Sequence, residues 1–166
     1  MSLFEVGCGT GNTIIPLAEK YKEHIELYAC DFSPNAVKLL EQLAICERAF
    51  VKDMVTEDIT EIKHSYIDFI TMIFFLSAIH PVEHEQVIKK LARLLKIGGC
   101  ILFRDYGAYD LAMLRFIKKR KGIIDIDKMV FKRGDNTLAC FFETEILTPL
   151  MEKCGFQCIK TEYCTV

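Results

Sequence analysis

The sequence predicts an α/β fold, a doubly wound and mostly parallel sheet with helices on both faces. Three observations predict it. Short apolar runs alternate with helix-length amphipathic runs over most of the chain. The first apolar run opens into glycines at alternate positions, Gly7, Gly9 and Gly11. Polar residues recur just past the apolar runs: Asp31, Asp53, Ser77 to His80, and Arg104 to Tyr106. Strands joined by helices must run parallel, and such sheets are covered on both faces. Their ligands lie at the carboxyl ends of the strands, near the point where strand order reverses.

Each element follows from local signals. Positions 3–6 read as the first strand and 12–21 as a helix. Positions 25–30 form the second strand, ending at Asp31. Ser33 is a helix N-cap with Pro34 at the first helical position, and that helix runs to about position 45. Positions 49–51 are a short third strand, followed by Asp53. Positions 67–75 are the fourth. Pro81 opens a helix to about position 95, stopped by Gly98 and Gly99. Positions 100–103 are the fifth strand. The pattern then changes. A helix over 109–119 precedes two β-like runs, 129–133 and 137–142, around Gly134-Asp135-Asn136, a hairpin signal. Positions 144–153 return to helix, with Gly155 as the stop, and 156–163 read as a sixth strand. The simplest account is one domain over 1–166 with a helix and hairpin insertion at about 109–142.

Bulk properties narrow the class. A length of 166 residues with 51% hydrophobic and 27% charged residues supports a globular domain with a real core. The greasiest run, positions 69–79, is too short to span a bilayer, which needs about 20 residues. No secretory pattern is visible, so the expected location is cytoplasmic, with the nucleus open and no membrane partner. The eight cysteines form no CxxC and no zinc spacing, so no metal is expected and the thiols read as buried and free. Cys154 and Cys158, around a Gly-Phe turn, read as structural. The net charge of −2 is unevenly spread. Between 115 and 133, eight basic residues face only Asp125 and Asp127, a local +6 that leaves −8 elsewhere. That run, with Arg115, Lys118, Lys119, Arg120 and Arg133, is either a solvated face or a phosphate-binding surface.

The glycine spacing carries chemistry. A dinucleotide fingerprint needs glycine at 7, 9 and 12, but position 12 is Asn and the third glycine comes at 11. A strand carrying Glu5 and ending in GxGxG resembles the first motif of class I S-adenosylmethionine (SAM) methyltransferases, a Rossmann-like fold. Asp31, at the end of the second strand, is then an acceptor for ribose hydroxyls or a turn cap. Asp53 is an acceptor for the adenine amino group or an ordinary loop acid. Met54 and Phe75 pack on the cofactor or in the core. His80, extended before Pro81, binds substrate or its own loop. Arg104, Asp105, Tyr106 and Tyr109 leave a buried strand together. They form either an internal ion pair or a pocket that stacks a flat substrate and hydrogen-bonds its edge.

Longer segments sharpen this. Glu5 to Asn12, Cys30-Asp31-Phe32-Ser33, Leu76 to Pro81, Phe103 to Gly107, Tyr109 to Phe116 and Arg133 to Thr137 together resemble the tRNA 3-methylcytidine methyltransferases, specifically their serine-tRNA branch. The resemblance covers nearly the whole chain. It implies methyl transfer from SAM, giving S-adenosylhomocysteine, to N3 of cytidine 32 in the tRNA anticodon loop. A synthetase or other protein partner is compatible with it. Carried over by position, Glu5, Gly7, Gly9, Gly11, Asp31, Phe32, Asp53, Met54 and Phe75 would hold SAM. Arg104, Asp105, Tyr106 and His80 would lie at the target base. Tyr109, Arg115, Lys118, Lys119, Arg120 and Arg133 would contact tRNA. Against the family pattern, an aromatic-rich segment before the first strand and a last antiparallel strand are missing, so the domain reads as truncated at both ends. The other readings are a methyltransferase of small molecules or proteins, and a non-catalytic SAM-binding subunit.

Overall fold

The structure, a computed structural model, describes residues 1–21, 23–119 and 121–164. The chain divides into two compact units, Met1–Ile73 with Lys90–Arg104, and Phe74–Lys89 with Asp105–Val166.

The first unit is built on a five-stranded parallel sheet. Its strands are β1 (Ser2–Val6), β2 (Glu26–Asp31), β3 (Arg48–Val51), β4 (Ile67–Ile73) and β5 (Leu95–Arg104), in spatial order β3-β2-β1-β4-β5. The order runs outward from β1 in both directions, which is the doubly wound pattern, with its reversal between β1 and β4. β1 is buried at all five positions, as a central parallel strand must be. Helices α1 (Ile14–Tyr21) and α2 (Pro34–Leu43) make the crossovers. Ile14, Ala18 and Leu40 pack with Leu3, Leu27 and Ala29 into a buried cluster. Phe4 stacks on Phe50 at 5.9 Å. The Ser33 hydroxyl caps α2 at the amide of Ala36, with Pro34 beginning the helix as expected. Ala44 ends it in the left-handed region.

Several boundaries differ from the sequence reading. β4 stops at Ile73, because Phe74 adopts a left-handed φ of 52°. The helix expected from Pro81 to 95 begins as a single 3-10 turn, Pro81–Glu83, and the α-helix α3 is only His84–Ala92. The strand after it starts early, at Leu95. Gly98 and Gly99 do not stop a helix. They sit in a bulge where the register slips between Ile67↔Leu95 and Phe69↔Cys100.

In the second unit α4 (Leu111–Lys119) starts after Asp110, whose carboxylate accepts from the amide of Met113. The hairpin is real. β7 (Val130–Lys132) pairs antiparallel with β8 (Leu138–Cys140), and β6 (Ile123–Asp125), which the sequence did not announce, adds a third strand. Met113, Phe131, Ala139 and Phe141 form the buried centre. α5 (Thr144–Lys153) matches its expected span. The expected sixth strand over 156–163 is absent. Ile159 is left 84% exposed, and the segment is fastened by Tyr163 instead, whose hydroxyl accepts from the amide of Thr144. Nor are all the cysteines buried. Cys158 and Cys164 are exposed, and only Cys8, Cys30 and Cys140 are fully enclosed. Among the described residues no helix is long and apolar enough to cross a membrane.

The glycine turn yields a test of packing. A Cβ at Gly11 would lie 2.7 Å from Leu40 Cδ2 and 2.8 Å from Ile15 Cδ1, at φ +93°, whereas one at Gly9, φ +51°, would meet open space. Chemical denaturation should therefore show Gly11→Ala destabilised by about 3 kcal/mol and Gly9→Ala by only about 1 kcal/mol. Equal losses would show that Gly11 is not a packing position.

Candidate functional site

The turn after β1 is fixed by backbone bonds and one carboxylate. Gly7, Gly9 and Gly11 all have positive φ, which side chains rarely adopt. The amides of Gly7 and Cys8 both donate to the carbonyl of Cys30, at 2.9 and 3.0 Å. Asp31 completes the link. Its Oδ2 accepts from the amide of Gly9 at 2.7 Å and its Oδ1 from the amide of Ser33 at 2.8 Å. One side chain thus ties the glycine turn to the entry of α2. A carboxylate has about four acceptor positions, so both oxygens keep a free lone pair. Phe32, the next residue, is 74% exposed.

Glu5 lies beneath this turn. It is buried within β1, and its Oε2 has no hydrogen-bond partner. Burial pushes its carboxyl up to about 7, against hydrogen bonds from Thr13 and Ile14 that favour the charged form, and the nearby charge of Asp31 raises it further. An orphaned buried carboxylate oxygen costs stability, and it leaves acceptor capacity for a donor.

Asp53 follows β3 and closes a turn. Its Oδ1 accepts from the amide of Val55 at 2.9 Å and its Oδ2 from the hydroxyl of Thr56 at 2.8 Å. Burial alone would raise its carboxyl, but these hydrogen bonds win and hold it below the usual range. Met54 beside it is buried in the core of the first unit, so its side chain packs within the protein.

The second unit gathers a different set. Asp105 Oδ2 accepts from the amide of Ser77 at 2.9 Å, and Oδ1 from the amide of Tyr106 at 2.9 Å. Burial raises its carboxyl above the ordinary value, opposed by Ser77, by the Tyr106 amide and by the charge of Arg133. The Tyr106 ring rests against Phe74 at 5.0 Å and Phe141 at 5.5 Å, and the Arg133 guanidinium lies 5.3 Å from it. Asp105, Tyr106 and Arg133 are therefore brought together. Phe75 is half-buried in the same unit. Arg104, the last residue of β5, is exposed, as are Arg115, Lys118 and Lys119 on α4. Arg120 lies outside the described residues. Tyr109, 66% exposed, has a strained φ of 65°.

His80 is extended before Pro81, as expected, and its Nδ1 accepts from the amide of Val82 at 3.4 Å, a local loop bond. The more constrained histidine is one the sequence reading passed over. His84 is buried, bonded through Nε2 to the carbonyl of Ile79 at 2.9 Å and packed on Phe142, and burial lowers its pKa. In the sequence Ser77 reads only as part of a polar run. No signal in the sequence singled out its amide as the partner of Asp105.

A family model described as a methyltransferase domain matches residues 4–101. The chain belongs to that family. Among curated relatives of this methyltransferase domain, the tRNA N(3)-cytidine methyltransferase METTL2 of Xenopus tropicalis is 40% identical over 161 residues, covering 93% of this chain and 47% of the relative. O-methyltransferase 3 of Dictyostelium discoideum is 39% identical, covering 99% of this chain and 38% of that protein. The chain thus spans about half the length of the curated relatives it matches. A SAM-dependent methyltransferase from Methanosarcina mazei has a similar fold, with a TM-score of 0.73, 21% identity and coverage of 92% of this chain and 78% of that one.

The residues of this methyltransferase domain suit SAM, the cofactor that the sequence resemblance implies. That molecule presents an ammonium, a sulfonium, a ribose diol and an adenine amino group. All favour carboxylate or carbonyl acceptors, and the first unit offers Glu5, Asp31 and Asp53 along successive strands. The unpartnered Glu5 oxygen and the open space above Gly9 suit a ligand laid on the turn.

Glu5 predicts a pH dependence. A folded carboxyl at about 7 against an unfolded 4.5 adds stability below pH 4.5 that is lost as pH rises through 7. Relative to wild type, Glu5→Gln should gain up to about 3 kcal/mol across that window, read by denaturation at pH 4.5 to 8. Parallel curves for the two proteins would place the Glu5 carboxyl in a polar site.

Proposed function

We propose that this methyltransferase domain methylates N3 of cytidine in tRNA, at position 32 of the anticodon loop of serine tRNA. The observation that carries the proposal is the 40% identity to a protein named for tRNA N(3)-cytidine methylation, sustained over 93% of the chain. The sequence resemblance through Arg104-Asp105-Tyr106-Gly107 and Arg133-Gly134-Asp135 supports the same reading.

When bound, SAM supplies an electrophilic methyl group. In this reading Asp31 accepts the ribose hydroxyls while keeping the turn closed, and Asp53 accepts the adenine amino group. Glu5 faces the cationic end and Gly9 leaves room for backbone approach. Cytosine N3 already carries a lone pair, so the protein needs no strong base. Placement in line with the methyl group supplies most of the effect. N3 gains a positive charge as its new bond forms. Asp105, fixed by two backbone amides, stabilises that charge. N3 lies on the pairing edge, so the base must be splayed out of the stack. Tyr109 stacks on it, and Arg115, Lys118, Lys119 and Arg133 take phosphates. The relative named O-methyltransferase 3 favours a second reading, transfer to an oxygen acceptor, of which a small hydroxyl compound is the simplest to test.

The test is incubation with SAM and unmodified serine tRNA, followed by nucleoside analysis. Wild type should yield 3-methylcytidine. Asp105→Ala should lose that product by about a hundredfold or more while its affinity for S-adenosylhomocysteine stays within about twofold. Unchanged turnover in the variant would remove Asp105 from the chemistry. An absence of 3-methylcytidine from wild type, with methylation of a small hydroxyl acceptor, would favour the second reading.

A further inference from the structure

The turn that holds Asp53 is built from both sides. On one side the Asp53 carboxylate gathers the amides of Val55 and Thr56 and the hydroxyl of Thr56. On the other, the half-buried ammonium of Lys90, on α3, donates to the carbonyls of Met54, Val55 and Glu57 at 3.2, 3.0 and 2.7 Å. An ammonium has three protons, and here each has a backbone carbonyl. Peptide carbonyls that point inward from a turn need donors, and a single cation serves three of them. A second lysine braces the far end. Lys52, buried, pairs with Glu61 at 2.9 Å and donates to the carbonyl of Asp58 at 3.1 Å.

Resting on the assignment of Asp53 above, we propose that Lys90 is a positioning residue for the adenine end of the cofactor. By closing the carbonyl side of the 53–57 turn, it sets the direction in which the Asp53 carboxylate meets an exocyclic amino group. The charge of Lys90 also favours the ionised, purely accepting form of that carboxylate. Lys90 touches no cofactor atom in this arrangement; it acts through the turn. The consequence is selectivity. A purine with an amino group at C6 should be preferred to one with a carbonyl there, because the latter would oppose Asp53 with an oxygen.

The experiment compares calorimetric affinities of the whole chain for S-adenosylhomocysteine and for S-inosylhomocysteine, its 6-oxo counterpart. Wild type should prefer the adenine ligand by about tenfold or more. Asp53→Asn should bring the two near parity. Lys90→Met should do the same while the thermal melt stays cooperative, and Lys90→Arg, which keeps charge and donors, should restore most of the preference. If Lys90→Met does not fold, Lys90→Gln serves, with a preference expected between wild type and Asp53→Asn. A Lys90 variant that folds and keeps the full preference, while Asp53→Asn loses it, overturns the role of Lys90. An Asp53→Asn protein that keeps the preference overturns the assignment of Asp53 itself, and this inference with it. A merely structural role for Lys90 would weaken both ligands equally and leave the ratio intact, which also counts against the proposal.

Discussion

The carboxylate of Asp31 joins two turns of the first unit, the glycine turn after β1 and the entry to α2. It takes the amide of Gly9 with one oxygen and the amide of Ser33 with the other. Three glycines at alternate positions make this backbone costly to order, because glycine loses the most freedom on folding. The neighbouring carbonyl of Cys30 adds two more bonds from the same turn. The β1–β2 pairing therefore does not end at Val6 and Cys30 but runs on into the loop. The entry to α2 is set by the same side chain, with the Ser33 cap and Pro34 following directly.

The carboxylates of the first unit are not equivalent, and their environments explain why. Glu5 sits inside the sheet, where burial dominates and a charge is disfavoured. Asp53 sits in a turn, where donors outweigh burial and the charged form is held. The first unit thus carries one acid that resists ionisation and one that is held ionised. A positive charge brought near Glu5 would favour the ionised form of its carboxyl, against the effect of burial. In the second unit Asp105 resembles Glu5 more than Asp53 in having its carboxyl raised, yet it is half-buried and both its oxygens are bonded to amides.

Much of this was legible in the sequence, for identifiable reasons. The central strands were clear because buried parallel strands are continuous apolar runs bounded by Gly, Asp or Pro. Ser33-Pro34 marked a helix start correctly because cap chemistry is local. Errors came where tertiary structure overruled a local signal. Gly98-Gly99 reads as a helix stop, but the partner strand β4 uses it as a bulge. Phe156 to Tyr163 has a strand-like composition, but a strand needs a paired neighbour, and Tyr163 fastens the segment to Thr144 instead. Among the candidate site residues, Asp31, Asp53 and Asp105 stand out in the sequence because they are acids just beyond apolar runs. Their partners did not stand out. The amide of Ser77 and the ammonium of Lys90 act across 28 and 33 to 36 residues of chain, and nothing in local composition announces such bonds.

The central claim is that the glycine turn and the acids beside it cradle the methyl donor. Amide chemical shifts of the chain titrated with S-adenosylhomocysteine test it most directly. The account predicts that the largest changes fall on residues 7–13, on Asp31 to Ser33 and on Asp53 to Thr56, saturating together with a single affinity. Saturable binding whose changes fall elsewhere, with the amides of Gly9 and Ser33 unmoved, would contradict it.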